Sequence, residues 1–452
     1  MNLPHKPLAL RSPMVFRWLS AAVAVLCLAP LAQAQSLVAL YESARAYDAT
    51  YQSAKLQYDA NVARADQAKA GILPNAGFSA GASRIGVENN APSINTSFYT
   101  QNATLSALQP LYRPANWATY EQGFSQVELA RAQLEAASQD LIVRTSQAYF
   151  DVLAAHDTLA FVRAQKEAVA EQLAFAKRNF EVGTSTITDT REAQARYDLV
   201  IAQEIAAEND LRVKKIALDQ LVGIAESQPT SLAVPVNLPP LAPADVTTWV
   251  RQSEAVHPAV RQARSNLEIA ELEVTKAEAG HKPTLDATAS YSVTKNPTNT
   301  AQNGIVSRAN ISNIGLLLNV PLFAGYSIQN RIRETLSLRD KALSDLEGTR
   351  RTVAQSVRTA YFGVQSGQGQ VKALEAAELS SQSALDANKL GYQVGVRINI
   401  DVLNSQSQLF QTKRDLAQAR YNVLLGDLRL RQASGTLTPE DLLQINQLLL
   451  RP

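Results

Sequence analysis

One short pattern in the chain has a catalytic precedent: GFSAG at Gly77–Gly81, which carries the G-x-S-x-G spacing of a nucleophile elbow. An elbow serine needs a strand, a sharp turn and a helix in that order. Pro74 and Asn75 precede this motif and a polar loop follows it, so the match reads as coincidence in a strand of small residues. His156, His257 and His281 stand singly, with no partner at helical spacing and no cysteine to join them, so no metal centre is expected. No P-loop pattern is present, and any energy the protein uses must come from a partner. The expectation is a protein without catalytic residues, cofactor or metal.

Polar side chains with usable spacing gather instead in two stretches, NFEVGTSTITDTREAQARYD (Asn179–Asp198) and GYQVGVRINIDVLNSQSQLF (Gly391–Phe410). In each, an aromatic (Phe180, Tyr392) stands two residues before a Val-Gly pair (Gly183, Gly395), and an Asp (Asp189, Asp401) follows the Gly by six. A glycine after a long helical run suits a turn. An Asp there can cap the next helix, and Glu192 follows Asp189 at capping-box spacing.

These matched positions are 212 residues apart, and the same offset joins AYF at Ala148–Phe150 to AYF at Ala360–Phe362 and Gly223 to Gly435. AG..P recurs at an offset of 209 (Ala70–Pro74, Ala279–Pro283), and LQPLY (Leu108–Tyr112) answers NVPLF (Asn319–Phe323) at 211. So constant a spacing marks a tandem duplication, each half building the same unit.

The first 34 residues read as a targeting leader: Lys6, Arg11 and Arg17, the apolar run LSAAVAVLCLAPLA, then Ala32-Gln33-Ala34 as a cleavage site. Its removal leaves 40 basic against 41 acidic side chains, which argues against a nucleic-acid partner. Cys27, the only cysteine, leaves with the leader; bulky Leu26 before it disfavours a lipoprotein signal. A cysteine-free mature chain suits an oxidising compartment. No later stretch has the apolar length of a spanning helix, so a membrane could be crossed only as a barrel.

The elements that carry the two stretches follow from texture. Residues 35–69 read as one helix; strands on either side of a polar loop at 87–95 come next; a helix then runs from about 115 to 179 with a single glycine, Gly123. At 1.5 Å per residue it would reach roughly 100 Å, a length that implies coiled coil, membrane or repeat. Val127, Leu134, Leu141, Ala148, Ala155, Val162, Val169 and Ala176 give it an apolar seven-residue seam. After the tip at 182–189 a second helix returns over 191–221, and the Pro-rich 228–246 links the halves. The second half repeats the plan: helix 248–279, strands near 284–294 and 310–320, helix 328–389, tip, and a return helix to Arg431. The expected division is leader 1–34, first repeat 35–227, linker 228–246, second repeat 247–435 and C-terminal segment 436–452. Four strands cannot close a barrel, since small barrels need about eight, so several chains must contribute. Phe78, Phe98, Tyr99, Tyr112, Tyr291, Phe323 and Tyr326 fall in or beside the strands, as a membrane-interface girdle or as core; Tyr112 and Phe323 read as girdle.

The duplicated layout, with AYFDVLAA, KEAVAEQL, FEVGTSTITDTREAQARYD, PTLDATAS, GYQVGVRINIDVLN, ARYNVLLGDLRL and the ending GTLTPEDLLQIN, resembles the TolC family of outer-membrane channel proteins over essentially the whole mature chain. The resemblance implies a mainly α fold with a small β part: a homotrimer with a 12-stranded outer-membrane β-barrel continued by a helical barrel across the periplasm. It implies a passive duct recruited by a periplasmic adaptor and an inner-membrane ABC or RND transporter, for type I protein secretion or multidrug efflux. Matched residue by residue, it implies that Tyr392 and Arg397 hold the neighbouring hairpin through Thr188 and Asp189. It also implies that Asp401 forms an acidic ring at the constriction. The second ring position is Asn404, where the family pattern has Asp, so the ring carries three charges rather than six. Gly183 and Gly395 mark the surface for the adaptor. The rival reading is a periplasmic coiled-coil structural or adaptor protein that never inserts; the paired strand insertions, one per half, speak against it.

Overall fold

The computed structural model describes residues 35–90, 93–233, 236, 238–296 and 307–449; the leader expected at 1–34 lies outside them. The first half runs α1 (Leu37–Tyr47), α2 (Ala49–Lys69), β1 (Asn75–Asn90), β2 (Ser93–Tyr112), α3 (Pro114–Glu181) and α4 (Ile187–Val222). The second runs α5 (Val246–Val256), α6 (Pro258–Glu278), β3 (Thr284–Asn296), β4 (Ser307–Asn319), α7 (Ser327–Gln393) and α8 (Asn399–Ser434), followed by α9 (Asp441–Asn446).

The helix expected over 35–69 is broken at Asp48, and the one over 248–279 at His257. Asp48 turns extended and caps α2, accepting from the Tyr51 N–H at 2.7 Å, while both Arg144 terminal nitrogens grip its carboxylate at 3.0 and 3.1 Å. His257 is extended because a proline follows, and its Nδ1 accepts from the Ala259 N–H at 3.1 Å. The two breaks stand at matching places in the halves.

The long helices behave as their seam demands. Leu141, Ala155, Val162, Val169 and Ala176 are buried, and Val152, Leu159 and Leu173 add a second buried line. At 68 residues, α3 is about 100 Å long; it packs on α2, α4, α6 and α8 at different heights, which is why one narrow stripe does not suffice. Around the middle, Leu40, Tyr41, Ile142, Phe150 and Leu428 form the largest core. The linker is strapped over this level by the duplicated AYF motif: the Tyr149 hydroxyl donates to the Thr230 carbonyl at 2.7 Å, and that of Tyr361 to the Ala244 carbonyl.

The strands form one antiparallel sheet in the order β1-β2-β3-β4, so both edge strands lack a partner among the described residues of the chain. Cross-strand partners share a face. The set Phe78, Leu105 and Tyr291 continues on β4 with Ser312. Alternation extends that face to Tyr99, Ala103, Ala107, Ala289, Val293, Ile314, Leu316 and Leu318, almost all apolar and exposed. The other face carries Ser79, Ser83, Thr100, Asn102, Thr104, Ser106, Thr288, Ser290, Ser292, Thr294 and Asn313, interrupted by Ile85, Phe98, Ile311 and Leu317. A sheet apolar on one side and hydroxyl-rich on the other, with open edges, has the two-faced pattern of membrane-barrel strands. Ser79 of GFSAG sits mid-strand opposite Thr104, at no turn. After a register shift between Pro110 and Tyr112 the β2–β3 pairing ends at Tyr112 with Leu285, and Arg113 then bonds Asp286 of β3.

Candidate functional site at the hairpin tips

Each tip is a helix end, a left-handed glycine and a new helix start. Gly183 (φ +78°) and Gly395 (φ +79°) supply the turn; beyond them α4 and α8 begin. At the first tip the cap is Thr186, not Asp189. Thr186 Oγ1 accepts from the Asp189 N–H at 3.2 Å, and Asp189 Oδ2 accepts from the Thr186 N–H at 3.1 Å. The capping box therefore sits three residues earlier than the Asp189–Glu192 spacing suggested. Asp189 Oδ2 also accepts from the Ser185 hydroxyl at 2.7 Å. Partial burial pushes the Asp189 carboxyl up, but the bonds from Ser185 and Thr186 outweigh it and hold it below the usual carboxylate range.

That direction has a consequence for stability. A carboxyl depressed in the folded state stabilises above its unfolded value of about 3.9 and loses the contribution as pH falls through the lower folded value. The melting-temperature gap between the unaltered protein and Asp189→Asn is thus expected to be constant from about pH 8 to 5 and to close below about pH 4. A gap that already varies between pH 8 and 6 would contradict the capping role.

At the second tip Ile398 precedes α8 at the cap position and supplies no side-chain cap, and Asp401 is the acid of the first turn. Arg397 lies 3.7 Å from Asp401, both part-exposed, so within one chain the arginine screens the acid. Thr188 is exposed, and among the described residues no hydrogen bond or ion pair joins Tyr392 or Arg397 to Thr188 or Asp189 in the same chain. The Tyr392 ring meets Phe175 edge to face at 5.6 Å, and its hydroxyl is enclosed without a partner. Beside them a cavity of about 470 Å³, lined by Phe175, Arg178, Lys389 and Tyr392, separates the ends of α3 and α7.

The two hairpins of the chain meet elsewhere, through Asn399, Gln172 and Arg196, which sequence reasoning did not single out, and through Asn404, which it placed at the ring. Asn399, fully buried, donates to the Asp189 carbonyl at 3.3 Å and accepts from Gln172. One turn further, Arg196 donates to Asn404 at 2.8 Å. The signal for Asn399 was present as an amide preceding the apolar Ile400, Val402 and Leu403. Only the packing of α8 on α3 and α4 reveals that it points inward.

Residues 40–224 and 249–436 match the family model described as outer membrane efflux protein. The chain belongs to that family. It is 32% identical over 413 residues to the outer membrane protein TolC of Vibrio cholerae, covering 91% of this chain and 93% of that one. It is 28% identical over 427 residues to the proteases secretion protein PrtF of Dickeya chrysanthemi, covering 92% and 91%. Its fold matches the Campylobacter jejuni CmeC outer membrane channel with a TM-score of 0.76 at 18% identity, over 91% of this chain and 89% of that one. As an outer membrane efflux protein, the chain is a passive export duct of the Gram-negative outer membrane that extends into the periplasm, and it is not an enzyme. The non-inserting coiled-coil reading is thereby set aside.

Proposed function

We propose that three copies join edge to edge, β4 of one to β1 of the next, to close a 12-stranded barrel, with the helices continuing it as a hollow cylinder. The observation that carries this is the two-faced four-stranded sheet with both edges open: unpaired edges are not tolerated in lipid, and four strands alone do not close. Tyr112, Phe323 and Tyr326, all exposed at the foot of the strands, form the inner aromatic girdle, and Phe323 and Tyr326 touch edge to face at 5.5 Å. The duct is recruited by a periplasmic adaptor at the tips around Gly183 and Gly395, and by an inner-membrane ABC or RND transporter that supplies the energy. Its cargo is protein, as the name of PrtF states for that relative, or small toxic compounds. Native mass spectrometry of the detergent-extracted protein is expected to give the mass of three chains; a single-chain mass would overturn the assembly.

In that trimer Arg397, with Tyr392 once its enclosed hydroxyl swings outward, reaches the neighbouring chain's first tip, at Thr188 and Asp189, and closes the bore, while three Asp401 carboxylates ring it. Such an Arg–carboxylate bond is directional yet breakable by an opening partner. Single-channel current through a planar bilayer tests both ideas. Arg397→Ala is expected to raise conductance roughly twofold or more, and Asp401→Ala to reduce cation preference under a salt gradient. Asp189→Ala should also raise conductance, but it removes the α4 capping box as well, so Arg397→Ala is the cleaner variant. Unchanged conductance in Arg397→Ala, or equal reversal potentials with and without Asp401, would sink the corresponding assignment.

A further inference from the structure

The contact between the two hairpins of one chain is chemically uneven. From Leu403 towards the middle of the molecule the seam is mixed: Leu403 packs among Val162, Val169, Ala193 and Val200, while a cavity beside them is lined by Gln165, Gln203, Asn404, Ser407 and Gln408. At its tip end, one turn before Leu403, stands Asn399 with no solvent exposure at all. Its amide is used in both directions: Nδ2 donates to the backbone carbonyl of Asp189 on α4, and Oδ1 accepts from Gln172 on α3. One amide therefore touches both helices of the first hairpin from the second. Beside it, the Arg196 guanidinium of α4 donates to Asn404 of α8 at 2.8 Å, and Arg196 forms no ion pair among the described residues.

Gln165 and Gln406 are buried too, but among the described residues their amide oxygens lack partners, whereas both ends of the Asn399 amide are bonded. Such an amide gains little stability over leucine but fixes register, because every sliding movement leaves its donor and acceptor unpaired. Asp189's carboxylate is occupied by its own capping box and Arg397 by Asp401, so neither ties the hairpins together inside the chain. We propose that Asn399, seconded by the Arg196–Asn404 bond, is a register latch that sets the resting separation of the two tips within each chain. Resting on the duct reading above, the latch also sets the resting bore. Asn399 and Arg196 are positioning residues: they touch no cargo, and they act by holding α8 against α3 and α4.

The test uses the full protein. With its leader removed it has no cysteine, so Thr184→Cys and Val396→Cys, both at exposed tip positions, take two nitroxide labels cleanly. Doubly labelled chains diluted into unlabelled ones report the in-chain tip separation by pulsed electron resonance. Asn399→Leu is expected to melt at or above the unaltered temperature, yet to shift the mean separation outward and roughly double the width of the distribution. Arg196→Ala should move it in the same direction, and Arg196→Lys, which keeps a donor, should restore it. Conductance should rise roughly twofold in Asn399→Leu. Unchanged distance distributions in both Asn399→Leu and Arg196→Ala would overturn the latch, whatever the current does. Should Asn399→Leu not assemble, the part-exposed Arg196 pair of variants decides alone. A shifted distance with unchanged current upholds the latch and counts instead against the tips as the constriction, so the two readings fail separately.

Discussion

Arg113→Ala is expected to melt well below the unaltered protein and to lose its assembled form first, although Arg113 lies far from the tips. The Arg113 guanidinium meets Asp286 in a two-pronged bond, Nε to Oδ1 at 2.7 Å and Nη2 to Oδ2 at 2.6 Å. Asp286 is 3% exposed in its side chain, whereas Arg113 is 38% exposed. Removing one partner of a wholly buried pair costs about 3–5 kcal/mol, because the other charge is stranded. Water reaching the arginine side reduces that here to about 2–3 kcal/mol. The pair lies where β2 ends just after a register shift and α3 begins, so it fixes the angle between sheet and helix. Heating in detergent followed by electrophoresis would show assembled Arg113→Ala dissociating at lower temperature. A double variant, Arg113→Met with Asp286→Leu, should recover most of the loss, since no charge is then left buried. An Arg113→Ala protein that dissociates at the unaltered temperature would show the bond to be incidental.

What the sequence disclosed depended on the range of each interaction. The duplication, the helix lengths and the strand insertions are written in local texture, and α3, α7 and the four strands fall within a few residues of where texture put them. The seven-residue seam of α3 was legible because burial repeats along one element. The breaks at Asp48 and His257 were not read, though Pro258 announced one of them by restricting the residue before it. The other depends on Arg144, 96 residues away, which no local window contains. Asp189 was found as a tip acid, but its role as a box partner rather than a cap turns on Thr186, three residues earlier. Matching by resemblance placed Tyr392, Arg397, Thr188 and Asp189 together as a set. Among the described residues of a single chain no bond joins them, and the proposed assembly is what would bring them together across copies. Asn399 was missed since an amide beside a turn usually faces water, and only the docking of α8 turns it inward.

Four glycines matched by the duplication give a second, graded expectation. Gly183, Gly223, Gly395 and Gly435 all hold left-handed backbone, with φ of +78°, +71°, +79° and +76°. Alanine at any of them incurs the strain of that conformation, about 1 kcal/mol. At Gly183 and Gly395 a Cβ would meet nothing within 4 Å, so strain is the whole cost. At Gly223 it would lie 2.4 Å from the Tyr47 ring, which is 62% exposed and can swing aside, so about 2 kcal/mol is expected. At Gly435 it would lie 2.4 Å from the Cα and 2.9 Å from the N of His257, backbone that cannot rotate away. There the end of α8 presses into the break between α5 and α6, and Gln139 donates to the Gly435 carbonyl at 3.2 Å in a buried setting. Gly435→Ala must push that junction apart, at about 3–5 kcal/mol. Melting temperatures of the purified variants should fall in the order Gly395→Ala, Gly223→Ala, Gly435→Ala, with Gly183→Ala beside the first. If Gly435→Ala melts with Gly395→Ala, the close approach of α8 to His257 is wrong, and the duplicated glycine there serves its turn alone.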